Sequence, residues 1–349
     1  MTGPDFSELH DELRAIAGDV LGKASGAEIG APLLAQAGWT GLEIAEECGG
    51  ADATFRETAL ICEEMGRAAA RSGYLGGVVL GVGLLNMLPR SPVRDQLLAE
   101  VAAGSNAVAV ALSAAQRGAG PAFTLDAQRR VGGAVSFVID GAAPWLLIPA
   151  TDPDGELVVV AVQADADGLS VVGQPVVDET RLLAAVSAVD VQVDEGAVSR
   201  CPDGLAAVLD RGYLALACDS VGLAAAMLDA TVAYLGVREQ FGRPIGSFQA
   251  VKHACADMLV QITVARQLID AGVAAMVADG PDAARAAAMA KAYAGEIAVQ
   301  VAGKALQLHG GIGYTWEAGI HTYLKRATLN RALFGSPAEH RHWLTAQRS

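Results

Sequence analysis

Residues 204–237 and 247–277 are two long Ala/Leu/Val-rich stretches with helical periodicity, and the break between them constrains the chain most. The break reads R-E-Q-F-G-R-P-I-G-S-F-Q over residues 238–249. Gly242, Pro244 and Gly246 interrupt any continuous rod, so the two stretches are expected to pack as antiparallel neighbours in a bundle. Arg238 is placed to close the first helix and Ser247 to cap the second. A plain connector needs much less. An arginine, two aromatics and a glutamine in one stiff turn read as a surface built to hold something.

Two more helical patterns follow, over 282–309 and 316–333, with Pro281 at the start of the first and Gly310-Gly311 stopping it. From Phe6 to about Ala103 the pattern is also helical, broken at Gly49-Gly50 and Pro89. Its clearest piece, 53–70, places Leu60, Ile61 and Met65 inward and Glu63, Glu64 and Arg67 outward. Between these helical parts the texture changes near Asn106. Short β-rich runs over 107–112, 135–139, 145–148, 157–162 and 185–193 alternate with Gly/Asp/Pro turns. The expected fold class is α+β, mostly α. It comprises an N-terminal helical domain (1–104), a small central β-barrel or sandwich (105–202) and a C-terminal four-helix bundle (203–349).

Charge and composition remove several functions. The net charge is −14, and no dense basic patch occurs, which argues against nucleic acid. Only 18% of residues are charged while 52% are hydrophobic, which hints that part of the surface is covered by other subunits. Five scattered cysteines, never in C-x-x-C spacing, suit reduced thiols of a cytoplasmic protein. The acidic first 21 residues lack a signal-peptide core, and residues 74–88 are too short and glycine-rich for a membrane span. His340 and His342 have no cysteine or carboxylate cluster beside them, so no metal site is expected. No G-x-S-x-G elbow occurs, and Gly310-Gly311-Ile312-Gly313 follows a helix where a dinucleotide fingerprint would follow a strand.

Two clusters remain. Arg238 offers a fixed fork suited to a pyrophosphate, and Q-L-H-G-G-I-G-Y-T over 307–315 brings a glutamine to a glycine turn where backbone N–H groups can approach a ligand. Each alone has an ordinary reading, a helix-end charge or a C-cap. Together they resemble the acyl-CoA dehydrogenase family. G-W-T-G-L over 38–42, E-E-C-G-G over 46–50 and E-E-M-G-R over 63–67 resemble the family's N-terminal pattern. The resemblance implies an FAD enzyme that oxidises an acyl-CoA between Cα and Cβ, with electron-transfer flavoprotein as acceptor. It also implies that Arg238 holds the pyrophosphate of a neighbouring subunit's FAD, while Phe241, Phe248, Gln249, Gln307, Gly310 and Gly311 line its ADP half.

The same resemblance exposes gaps. The family's catalytic glutamate falls on Phe334, and the alternative base position, on the first bundle helix, falls on Gly212. Asp210 and Asp219 are outside candidates for a displaced base, and Glu339 reads as a surface residue. The flavin-ring loop is eroded to L-S-A-A-Q-R-G-A-G over 112–120, and the family's W-I-T segment to Phe137-Val138-Ile139. Losses fall on the features a subunit gives its own flavin, and the features given to a neighbour remain. The chain therefore resembles the base-lacking subunit of α2β2 dehydrogenases of actinobacterial steroid catabolism, paired with a second, base-containing chain acting on bulky sterol-derived CoA thioesters. A homo-oligomeric dehydrogenase with a displaced base and a flavin-free scaffold or regulatory subunit are the alternatives.

Overall fold

The computed structural model describes residues 7–23, 28–202, 204–315 and 319–347. The chain starts with α1 (Ser7–Lys23), β1 (Glu28–Ile29), α2 (Ala31–Gln36), α3 (Phe55–Arg67) and β2 (Arg71–Ser72). A π-helical stretch, Tyr74–Val82, then runs into α4 (Gly83–Met87), and α5 (Pro92–Ala102) follows. Local chemistry starts α3: the Thr54 N–H donates to Glu57 Oε2 at 3.0 Å in a capping box. Its inward Leu60, Ile61 and Met65 are buried as expected, each contributing about 1.5–3 kcal/mol. Glu64 corrects the expectation of an outward acidic face, because it is buried and its carboxyl pKa is raised by lost hydration.

Strands β3 (Val108–Val110), β4 (Phe123–Leu125), β5 (Arg130–Ile139), β6 (Trp145–Thr151), β7 (Leu157–Gln163), β8 (Leu169–Gln174), β9 (Leu183–Gln192) and β10 (Val198–Arg200) form the middle of the chain. They make one open mixed sheet ordered β10-β7-β6-β4-β5-β9-β8, with β3 also on β6, and not a closed barrel. The parallel pairs β3–β6 and β4–β6 account for the mixed character. Phe123, Val131, Leu146, Ile148, Val160, Val186 and Val191 give the sheet its own apolar core.

The C-terminal part begins with α6 (Ala206–Val237), followed by a short hairpin, β11 (Glu239–Gln240) and β12 (Arg243–Pro244). Helices α7 (Gln249–Val277), α8 (Ala283–His309), α9 (Ile320–Ala332) and α10 (Pro337–Ala346) complete it. Helices α6 and α7 are long and apolar enough to cross a membrane, but both pack against α8 in the bundle. The expected start of the last pattern, at Trp316, lies outside the described residues. Helix α10 was not expected. Ser336 and Glu339 form its capping box with Pro337 in the first turn, so Glu339 is a capping group.

Helices α3 and α6 touch backbone to backbone. A Cβ on Gly66 would lie 2.0 Å from the Asp219 carbonyl oxygen, and one on Gly222 would lie 1.9 Å from that of Glu63. That contact needs glycine at both positions. It delivers Asp219 to a buried junction where Arg326 Nε donates to its Oδ1 at 2.9 Å and Arg326 Nη2 to its Oδ2 at 2.5 Å. Asn330 Nδ2 donates to Oδ1 at 2.6 Å, and the Arg181 guanidinium lies 3.1 Å from Oδ2. Arg326 Nη1 also donates to the Ala70 carbonyl at 2.9 Å and to Thr180 Oγ1 at 2.7 Å. One arginine therefore ties the N-terminal helices, the sheet and the bundle together.

Burial opposes the Asp219 charge, but the two arginines win and hold its pKa down at about 2, against an ordinary 3.8. Its stabilisation is complete above 3.8 and is lost as pH falls toward 2. Asp219→Ala is expected to cost about 3–5 kcal/mol by leaving two buried arginines uncompensated. Urea unfolding should show that loss at neutral pH, and much of it should vanish near pH 2.

Candidate functional site: an open elbow and a sealed corner

The elbow is built by the end of α6. Arg238 caps that helix, its N–H donating to the Tyr234 carbonyl at 2.9 Å, and its own carbonyl accepts from Ile245 N at 2.8 Å. Those bonds pin the base of the β11–β12 hairpin. At its tip Phe241 and Gly242 both have positive φ, 53° and 75°, as a tight two-residue hairpin turn requires. Phe248 anchors the inner side. Its ring meets Phe241 edge-on at 6.2 Å, and the Arg243 guanidinium lies 4.1 Å from its centroid. Ser247 does not cap α7. Phe248 occupies that position without a side-chain cap, and Ser247 belongs to a short 3-10 turn.

The elbow is open to solvent. Phe241 is 91% exposed, and Val232 and Val237 on the same end of α6 are exposed too. Among the described residues the Arg238 guanidinium and the Gln249 amide have no hydrogen bond or ion pair within the chain. A cation fork and an apolar tip left bare together are features of a surface that another molecule covers.

The second motif is brought alongside. Tyr234, one turn before Arg238, stacks on His309 with centroids 4.6 Å apart and planes at 19°. His309 Nδ1 in turn bonds the Ala305 carbonyl at 2.8 Å, which fixes its ring. The ends of α6 and α8 are thereby held side by side, and two motifs some seventy residues apart in sequence become neighbours. Gln307 Oε1 accepts from Lys304 Nζ at 3.3 Å. Gly310 has φ 61° and ends α8, and a Cβ on Gly310 or Gly311 would meet nothing within 4 Å. The side-chain donors of Arg238, Gln249 and Gln307, beside a glycine turn with room for close approach, suit the phosphates and polar edge of a dinucleotide. Tyr234 and His309 carry this arrangement, and sequence reasoning missed the pairing.

The chain's own cleft has the opposite character. The two positions where a base is expected converge: a Cβ on Gly212 would lie 3.4 Å from the Phe334 ring and 3.1 Å from Leu80. Phe334 is fully buried and fills the corner. Its backbone has φ 54°, followed by Gly335 at 100°. That strained turn is held from three sides. The Phe334 N–H donates to the Ala114 carbonyl at 2.7 Å, its carbonyl accepts from His340 Nε2 at 3.1 Å, and Lys291 Nζ donates to the carbonyls of Asn330 at 2.9 Å and Gly335 at 3.3 Å.

The eroded loop over 112–120 seals directly onto this turn. Arg117 stacks on Trp343 of α10 at 3.8 Å and approaches Tyr213 at 5.6 Å, while the Gly118 N–H donates to Tyr213 Oη at 3.3 Å. The His340 ring packs edge-on against Tyr213 at 4.7 Å. Phe137 stands at an irregularity of β5 with φ 61°, its N–H donating to Gln174 Oε1 at 2.7 Å. No carboxylate reaches the Phe334–Gly212 corner among these contacts.

The two outside base candidates separate. Asp219 is committed to Arg326, Arg181 and Asn330 and is held near pKa 2, so it cannot take a proton at neutral pH. Asp210 is half-buried two residues before Gly212 on α6, which turns it to another face, and burial pushes its pKa up to about 6 against the pull of Arg117.

The acyl-CoA dehydrogenase N-terminal domain family matches residues 11–118, and its C-terminal domain family matches residues 205–347. The chain is also 33% identical over 317 residues to the acyl-CoA dehydrogenase IpdE2 of Mycolicibacterium smegmatis, covering 90% of this chain and 86% of that one. The chain belongs to the acyl-CoA dehydrogenase family. FadE34 of Mycobacterium tuberculosis, another acyl-CoA dehydrogenase, is 34% identical over 305 residues, 84% of this chain and 38% of its own length. Among solved structures, the Tcur3481-Tcur3483 steroid ACAD G363A variant superposes with a TM-score of 0.85 at 28% identity, covering 98% of each chain. The ChsE4-ChsE5 complex from Mycobacterium tuberculosis shares the fold, with a TM-score of 0.89 at 22% identity over 99% of each chain.

His340 offers a test of the sealed corner. Burial, with Lys291 and Arg117 close by, holds its pKa down at about 3 against 6.5. A depressed basic group stabilises the fold above its ordinary pKa and loses that contribution as pH falls. Stability is expected to fall as pH drops from 6.5 toward 3, and His340→Phe should flatten that slope in urea-unfolding midpoints.

Proposed function

We propose that this chain is the non-catalytic subunit of a heteromeric, FAD-dependent acyl-CoA dehydrogenase. It completes the ADP half of a flavin site whose ring contacts and base come from a second, base-containing dehydrogenase chain in an α2β2 assembly. The observation that carries this reading is the contrast within one chain. Phe334 occupies the corner shared by both base positions, while the Arg238 and Gln249 side chains have no hydrogen bond within the chain among the described residues and the Gly310-Gly311 turn is exposed.

Bound FAD would supply the two-electron acceptor for forming a Cα–Cβ double bond in a CoA thioester. The chain's own part is to orient and neutralise. Arg238 would bind the pyrophosphate, Gln307 and Gln249 would hold the polar edge, and Phe241 and Phe248 would exclude water around the adenine side. Phe334 has no proton-accepting atom, so proton removal from the substrate belongs to the partner.

A bulky, steroid-derived thioester as substrate is supported by the likeness to the steroid ACAD Tcur3481-Tcur3483, whose name couples two gene products. Electron-transfer flavoprotein is the proposed acceptor. The five free cysteines and the lack of a disulfide among the described residues suit a reducing, cytoplasmic setting.

A homo-oligomeric enzyme is the second reading, and the raised pKa of Asp210 is what favours it. Flavin reduction by an acyl-CoA separates the two: Asp210→Asn should leave the rate of the assembled enzyme within a few-fold, whereas a base would lose about 10²–10⁴-fold. For the lead reading, Arg238→Ala in the co-expressed complex is expected to weaken FAD binding by about 10–100-fold through loss of a charge-assisted bond. Fluorescence release of FAD on dilution measures this. Unchanged affinity would remove Arg238 from the site.

A further inference from the structure

A second cavity, of about 260 Å³, lies between the N-terminal helices and the sheet, away from the elbow and the sealed corner. Its walls are apolar, with Leu34, Val78, Val101 and Leu182 among them, and the π-helical stretch Tyr74–Val82 forms one side. Such helical irregularities recur where a site is built. Its polar lining is almost entirely spoken for. Thr40 Oγ1 donates to the Ala102 carbonyl at 3.1 Å. The Asn106 amide is used at both ends, Nδ2 donating to Glu100 Oε2 at 2.9 Å and Oδ1 accepting from Ala107 N at 2.9 Å.

Asp140 is the exception. Its backbone, at φ 52°, is fixed by donation from its N–H to the Leu182 carbonyl at 2.9 Å. Its Oδ2 accepts from Gly76 N at 2.8 Å, and its Oδ1 has no hydrogen bond among the described residues. Among the described residues lining the cavity, the other acidic side chain is Glu28, paired with Arg71 at 3.2 Å, and there is no lysine or arginine. A carboxylate oxygen with no protein partner, accessible at the edge of an apolar space, is placed to accept from a cationic donor.

We propose that this cavity binds a small organic ammonium ion, its charged head on Asp140 and its apolar body against Leu34, Val78 and Val101. Burial raises the Asp140 pKa to about 6, against the pull of Gly76 N, Arg181 and Arg326 and with a smaller push from Glu28. Binding is therefore expected to tighten as pH rises through that value. The site is independent of the flavin reading, because none of its residues belongs to the elbow or the sealed corner.

Calorimetric titration of the full chain with benzylammonium chloride, benzyl alcohol and benzoate tests this. Saturable binding of the ammonium alone is expected, weakened at least about tenfold by Asp140→Asn. Leu182→Trp, at the partly exposed rim, should block binding with Asp140 intact, and it keeps the test valid should Asp140→Asn fail to fold. Equal binding of the alcohol, undiminished binding by both variants, or no saturable binding of the ammonium would each overturn the proposal.

Discussion

The ion cluster around Asp219 is the constraint on which the rest of the structure depends. Two arginines from different parts of the chain converge on one buried carboxylate, and Arg326 extends to a carbonyl on the N-terminal side and a hydroxyl on the sheet. Charges this deep are tolerable only when every partner is present. The cluster therefore fixes how three structural regions sit on one another, and glycine at 66 and 222 is the packing condition that lets Asp219 reach it.

That fixed frame explains why the cleft and the elbow could diverge. Helix α9 carries Arg326 and Asn330 into the cluster and then delivers Phe334 to the corner beside Gly212. Helix α6 carries Asp219 in the middle and Arg238 at the end. The same two helices thus hold a closed corner at one place and an open fork at the other. A phenylalanine at the corner suits such a scaffold, because Phe334 fills the space with apolar volume and its turn is held by Lys291, His340 and Ala114.

Much of the fold was legible because long helices announce themselves through periodicity. The helices over Ala206–Val237 and Ala283–His309 match the expected stretches closely. The strands β4, β8 and β10 were not expected, since β4 and β10 are only three residues long and β8 is a sheet-edge strand with no buried residue. Helix α10 was missed although Ser336, Pro337 and Glu339 spell a capping box, because the segment's apolar pattern is weak. In sequence Asp219 is only an outside candidate for a displaced base, and the tertiary approach of Arg181 and Arg326 shows that it is committed elsewhere. The two motifs at the ends of the long helices were readable as a pattern. The stack of Tyr234 on His309 that joins them was not, since nothing in a linear chain sets that distance.

We propose that this chain offers half a flavin site and has none of its own. The most direct measurement is the FAD content per chain, by absorbance and native mass, of the purified protein alone and after assembly with a base-containing dehydrogenase chain. No stoichiometric flavin is expected on the isolated chain, and one FAD is expected for each pair of unlike chains in the complex. One FAD per chain in the isolated protein, reduced on addition of an acyl-CoA, would contradict it.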